Sequence, residues 1–175
     1  GAIFTWNASA DSNYCPEACA TALFAQRIDA GGALLWPVKY GTRILNGDYG
    51  PSVPRVAPDG AGGEILVFSQ FIGGMIDAYV QAVDSTGASR WGSQAIPVAT
   101  PLAERRALAL AADGAGGALV VWQEFDGYAW RVRSQRFDPL GTRQWANDNV
   151  ISVPGRPGGS STIGLALSRA IPNPC

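Results

Sequence analysis

The sequence contains no histidine. A Ser-His-Asp or Cys-His catalytic arrangement therefore cannot be built from it. Charge is also sparse, at 15% of residues, with a net charge of −1 and no block of one sign. A polyanion-binding surface needs a basic patch, so nucleic acid is not an expected partner. No apolar run approaches the roughly 20 residues of a membrane-spanning helix, so no membrane insertion is expected. No signal peptide is visible. The chain opens at Gly1 on a strand-like stretch without an initiator Met, which reads as a mature or processed chain, or one unit cut from a longer one.

Cysteine is scarce, with Cys15, Cys19 and Cys175 the three present. Without histidine or a second cysteine pair, the Cys15-Pro-Glu-Ala-Cys19 spacing does not complete a four-ligand zinc site. A Cys15–Cys19 disulfide is expected instead, closing a short helical turn and implying an oxidising compartment. Cys175 is expected at the far end of a strand. A strand of about six residues spans roughly 20 Å, and a disulfide needs Cα atoms within about 7 Å. Cys175 is thus expected to be free or to serve as an intermolecular thiol. Asn7-Ala8-Ser9 fits the N-glycosylation pattern. Both features point to an extracellular or cell-surface protein.

What is abundant is apolar residue and turn residue. Hydrophobic residues make up 47%, beside 22 Gly and 12 Pro, the composition of a turn-rich globular chain. These residues are arranged in a repeat. Gln26-Arg-Ile-Asp29-Ala-Gly-Gly32-Ala-Leu-Leu-Trp36 aligns without gaps with Gln81-Ala-Val-Asp84-Ser-Thr-Gly87-Ala-Ser-Arg-Trp91. Both align with Gln135-Arg-Phe-Asp138-Pro-Leu-Gly141-Thr-Arg-Gln-Trp145. The shared pattern is Q-x-x-D-x-x-G-x-x-x-W, and its tryptophans recur at intervals of 55 and 54 residues. Upstream, Asp59-Gly-Ala-Gly-Gly63-Glu-Ile-Leu-Val-Phe68 matches Asp113-Gly-Ala-Gly-Gly117-Ala-Leu-Val-Val-Trp122, and Gly1–Trp6 matches the second half of this element.

Each repeat reads as four short strands. The first precedes Asp-Gly, as in Val53-Pro-Arg-Val-Ala57 and Ala107-Leu-Ala-Leu-Ala111. Asp-Gly with Gly-Gly supplies the positive-φ positions of a tight hairpin. The second strand is continuously apolar (Ile65–Phe68, Leu119–Trp122) and is expected to be buried on both faces. The third alternates, as in Arg131–Phe137. The fourth follows the Trp, at Ala95–Val98 and Val150–Val153. The chain begins on the second strand of a repeat, and residues 162–168 resemble a first strand.

Four antiparallel strands per repeat, with polarity rising outward, resemble a β-propeller blade. The D-x-x-G-x-x-x-W turn also resembles the Asp-box of sialidase-like propellers, although the box has D-x-G-x-T-W spacing. The resemblance implies an all-β, propeller-like fold of three four-stranded antiparallel blades, one completed by the C-terminal strand. Blade 1 covers about 1–50 plus 161–170, blade 2 about 51–104 and blade 3 about 105–158. Propellers usually have about four to eight blades. Three outcomes fit this count: a small three-bladed ring, a two-chain six-bladed ring, or strand donation into the next subunit, which repeated head to tail gives a fibre.

The candidate functional residues have two readings each. Trp36, Trp91 and Trp145 would stack on sugars in a propeller lectin. As core residues, each would pack beneath its own turn and staple strands three and four, which is the expected role. Trp6, Phe68 and Trp122 are expected in the core. Asp29, Asp84, Asp138, Asp59 and Asp113 would ligate calcium only with several more oxygens nearby. Local turn hydrogen bonding is the expected role. The Gly-rich turns lack the Lys-Ser/Thr ending of a phosphate loop, so no cofactor or metal is expected. Glycoside hydrolysis needs two carboxylates. Glu64, Glu104, Glu124 and Asp126 supply carboxyls but in no recurring motif, and no enzyme is expected. Repeat 1 has 20 residues from Trp6 to Gln26, where the others have 13, and the excess carries Cys15 and Cys19. The sum of these features points to a structural, self-associating subunit of an extracellular fibre or surface assembly, joined head to tail by propeller stacking or strand complementation. The alternative is a carbohydrate-binding module.

Overall fold

The computed structural model of the chain describes residues 1–9, 21–38, 41–45, 52, 54–72, 74–101, 103–146 and 149–151. Cys15, Cys19, Cys175 and the expected strand at 162–168 lie outside these residues. The described residues form strands and turns without a helix, in three antiparallel sheets. The first sheet has the order β1-β2-β3, from β1 (Ala2–Ser9), β2 (Thr21–Ile28) and β3 (Thr42–Leu45). The second is β4-β5-β6-β7, from β4 (Arg55–Pro58), β5 (Glu64–Ile72), β6 (Met75–Val83) and β7 (Ile96–Pro97). The third is β8-β9-β10-β11, from β8 (Arg105–Ala112), β9 (Ala118–Phe125), β10 (Trp130–Phe137) and β11 (Asn149–Ile151).

Each sheet is a simple up-and-down meander, and the repeat accounts for its register. The Asp-Gly-Ala-Gly-Gly turns join β4 to β5 and β8 to β9. Asp59 Oδ1 accepts from the Ala61 and Gly63 N–H groups, both at 2.8 Å. Asp113 does the same with Ala115 and Gly117, at 2.8 and 2.9 Å. The motif turns are capped in the same way. Asp29 accepts from Gly31 and Ala33, Asp84 from Thr86 and Ala88, and Asp138 from Leu140 and Thr142. The Thr86 hydroxyl and N–H groups hold the Asp84 carboxyl below the usual carboxylate range. All five aspartates thus satisfy backbone donors that a tight turn would otherwise leave unpaired.

The unbroken apolar run of β5 has a direct cause: the second sheet has a neighbour on each face. Ile65 and Val67 pack with Val120, Trp122 and Phe137 of the third sheet. Leu66 and Phe68 pack with Leu23, Ala25 and Ile44 of the first. Alternate side chains of one strand therefore enter two cores, as the period of two requires. The first sheet has three strands among the described residues, and the strand expected to complete it lies outside them. One detail differs from the sequence expectation. Trp6 is half-buried rather than core, since it sits on β1, the edge strand of that sheet. Phe68 and Trp122 are fully buried.

Candidate functional site

The motif Q-x-x-D-x-x-G-x-x-x-W builds a joint between sheets, and its parts assemble in order. The glutamines are buried clamps. Gln26 Oε1 accepts from the Trp36 N–H at 3.1 Å, Gln81 Oε1 from Trp91 at 3.3 Å, and Gln135 Oε1 from Trp145 at 2.9 Å. Their amide groups donate to backbone carbonyls beyond the turn: Gln26 to Val38, Gln81 to Gly92, Gln135 to Trp145. The clamp fixes where each indole leaves its sheet.

The indole then crosses to the next repeat. Trp36 lies over the turn of the second sheet, where a Cβ added at Gly87 would fall 2.9 Å from its ring. Its Nε1–H donates to the Ser85 carbonyl at 2.9 Å. Trp91 lies over the third sheet in the same way. A Cβ at Gly141 would fall 2.8 Å from its ring, and its Nε1–H donates to the Pro139 carbonyl at 3.0 Å. Both glycines also hold positive φ, at 88° and 81°, so the position demands glycine twice over. The expectation that each Trp packs beneath its own turn is therefore corrected for Trp36 and Trp91. The ring reaches forward because the glycine of the following turn has no side chain and leaves a flat seat. Trp36 and Trp91 are 3% and 8% exposed, which closes both to a sugar. Trp145 is half-buried.

A chain of buried charges lies between the second and third sheets. Arg105 Nη1 donates to the Asp77 carboxylate at 3.2 Å, and its Nε to Glu124 at 2.6 Å. Glu124 also meets Arg133 at 2.5 Å. Arg105 donates further to the Ala99 and Pro101 carbonyls. Burial pushes the Asp77 carboxyl up, against the lowering by the Ala78 N–H and Arg105. A cavity of about 570 Å³ opens beside this chain, lined by Thr100, Arg133, Gln135, Arg143 and Trp145 among others.

The other carboxylates singled out in the sequence are dispersed. Glu64 is buried against β1, where it accepts from the Thr5 hydroxyl, and burial raises its pKa. Glu104 pairs with Arg106 on the surface. Asp126 caps the β9–β10 hairpin, where the Ala129 and Tyr128 N–H groups and Arg131 lower its pKa to about 2. Asn7 is exposed in the middle of β1, opposite Leu23. The possible thiol Cys175 and the Cys15–Cys19 pair lie outside the described residues.

Sequence reasoning missed two roles. The glutamine was visible as an invariant of the three repeats, but not as a clamp. Arg105 carries no repeat signal, and only its burial beside Asp77 marks it. No family model, curated protein or solved structure matches the chain.

Proposed function

We propose that the chain is a structural subunit of an extracellular fibre or surface assembly, built from propeller-type blades and joined head to tail by strand complementation. One observation carries this reading. Among the described residues, β1 pairs only with β2, whereas the corresponding β5 and β9 each have a partner on both edges. A cavity of about 320 Å³ lies between β1 and the second sheet, bordered by Gly1–Ile3, Val56–Pro58 and Glu64. An eight-residue edge strand is a template for pairing. Residues 162–168, which resemble the first strand of a repeat, are the proposed complement, supplied by a neighbouring copy.

Mass photometry and negative-stain microscopy of the full chain, with and without reductant, test the reading. Oligomers or filaments are expected, and loss on reduction places Cys175 at the junction. A discrete monomer at micromolar concentration overturns it. The second reading, a carbohydrate-binding module, has one observation in its favour: half-buried Trp145 borders a polar, arginine-lined cavity. Glycan binding lost in Trp145→Ala, without change of oligomeric state, selects it.

A further inference from the structure

The two internal joints are templates for a third whose halves both stand open. On the receiving side, the apolar residue before the motif Asp is Val83 in the second sheet and Phe137 in the third. Both are fully buried. Their counterpart in the first sheet, Ile28, is only half-buried. Leu66 and Val120 are fully buried, yet their counterpart Phe4 is 54% exposed. A Cβ at Gly87 or Gly141 would strike an indole within 3 Å, but among the described residues a Cβ at Gly32 meets nothing within 4 Å. Gly32 nevertheless has the same positive φ, 84°. The turn of the first sheet thus has the form of a tryptophan seat on which no described residue places a ring.

On the giving side stands Trp145. Its backbone is clamped by Gln135 as in the other two repeats. Its indole N–H meets no acceptor among the described residues, whereas those of Trp36 and Trp91 each donate to a carbonyl. Every part of the joint is present, but its two halves lie at opposite ends of the row of sheets.

We propose that Trp145 of one copy of this chain seats on the Asp29–Gly32 turn of a second copy. Its ring covers Gly32 and Ile28, its Nε1–H donates to the Ala30 carbonyl, and Phe4 is buried beside it. Ala30 holds the turn position of Ser85 and Pro139. The proposal rests on the self-association reading above and names its contact surface. Such a joint is heterologous: it either closes into a ring, of which two copies is the smallest, or runs on as a filament. Closure at two copies gives six blades, within the usual range of about four to eight.

Two variants break opposite halves. Trp145→Ala removes the ring. Gly32→Asn blocks the seat with a residue that tolerates positive φ. Gly60→Asn is the control, since Gly60 shares the positive φ and the open surroundings but lies in the other type of turn. Sedimentation velocity and thermal melts are recorded for each. Each of the two joint variants is expected to weaken association by at least about 30-fold, as loss of a buried aromatic anchor does. The control should match the parent chain. Mixing Trp145→Ala with Gly32→Asn leaves one intact pair of halves between unlike copies, so association returns in the mixture alone. If both variants still associate like the parent, the joint is refuted while self-association stands on another surface. A parent chain that is monomeric overturns both. Variants that lose association without recovery on mixing also overturn the joint, because its halves are then not shared between copies.

Discussion

The two junctions between sheets share one joint and differ in nearly everything around it. At both, an indole crosses to a glycine seat and donates to a turn carbonyl. Between the second and third sheets the rest of the contact is dense. Fully buried Ile65, Val67, Val120 and Trp122 meet there, and Trp91 stacks on Phe137 at 6.1 Å. An arginine reaches the carbonyl that holds the indole at both junctions, Arg27 at Ser85 and Arg90 at Pro139, and Arg90 adds a link to Asp59. The Asp77–Arg105–Glu124 chain closes the far side. Between the first and second sheets the core among the described residues is smaller, and a cavity lies between β1 and β4. The motif therefore sets where two sheets meet and in which order. Among the described residues the denser packing is found between the two four-stranded sheets.

Removing Arg105 should break the contrast most strongly. Arg105→Met leaves the Asp77 carboxylate buried without its cation, a loss expected to cost about 3–5 kcal/mol. Urea denaturation measures it. Arg105→Met combined with Asp77→Ala should recover a large part, since the uncompensated charge is gone. Next in size are the glycine seats. Gly87→Ala and Gly141→Ala each add a strained φ and a clash with an indole, and should lose about 2–4 kcal/mol. If the junctions differ in packing as described, Gly141→Ala is the costlier of the two, because Ile96 crowds the same point.

The smallest expected effect is read at the looser junction. Burial raises the Glu64 pKa above its ordinary value of 4.5, against the Thr5 hydroxyl that lowers it. A carboxyl raised by folding binds its proton more tightly in the folded chain. Its contribution is full below the ordinary value and is lost as pH rises through the raised one. Stability should therefore fall as pH climbs from about 4.5 toward neutral, and Glu64→Gln should reduce that slope in a pH series of melts, leaving the share of Asp77, whose carboxyl burial also raises. The dense junction has Ala118 at the corresponding position and contributes nothing through it. A slope unchanged in Glu64→Gln would mean that Glu64 is not the group responsible.

Much of this was legible in the sequence for physical reasons. The Asp-Gly turns could be read because only glycine and the Asx cap satisfy that backbone, and all five aspartates do so. The run Ile65–Phe68 could be read as doubly buried because it leaves no polar face. The partner of each tryptophan could not be read. Packing under its own turn and packing over the next turn use the same residues at the same spacing, and only the third dimension separates them. The Arg105 chain was likewise invisible, since a lone arginine in β8 looks like any surface cation until Asp77 is found beneath it. Among the four carboxylates singled out, spacing gave no sign that they would be scattered.

The direction of the indole has a consequence for how such chains change in length. Each repeat carries a plug, its tryptophan, and four residues before it a socket, its turn glycine, so one repeat can seat behind another through the same pair of parts. Adding or deleting one leaves both outer ends unchanged in kind. Stability then grows as a sum over neighbours, as in solenoid arrays. Repeat number becomes a quantity that duplication can alter in whole steps, without redesigning a single contact.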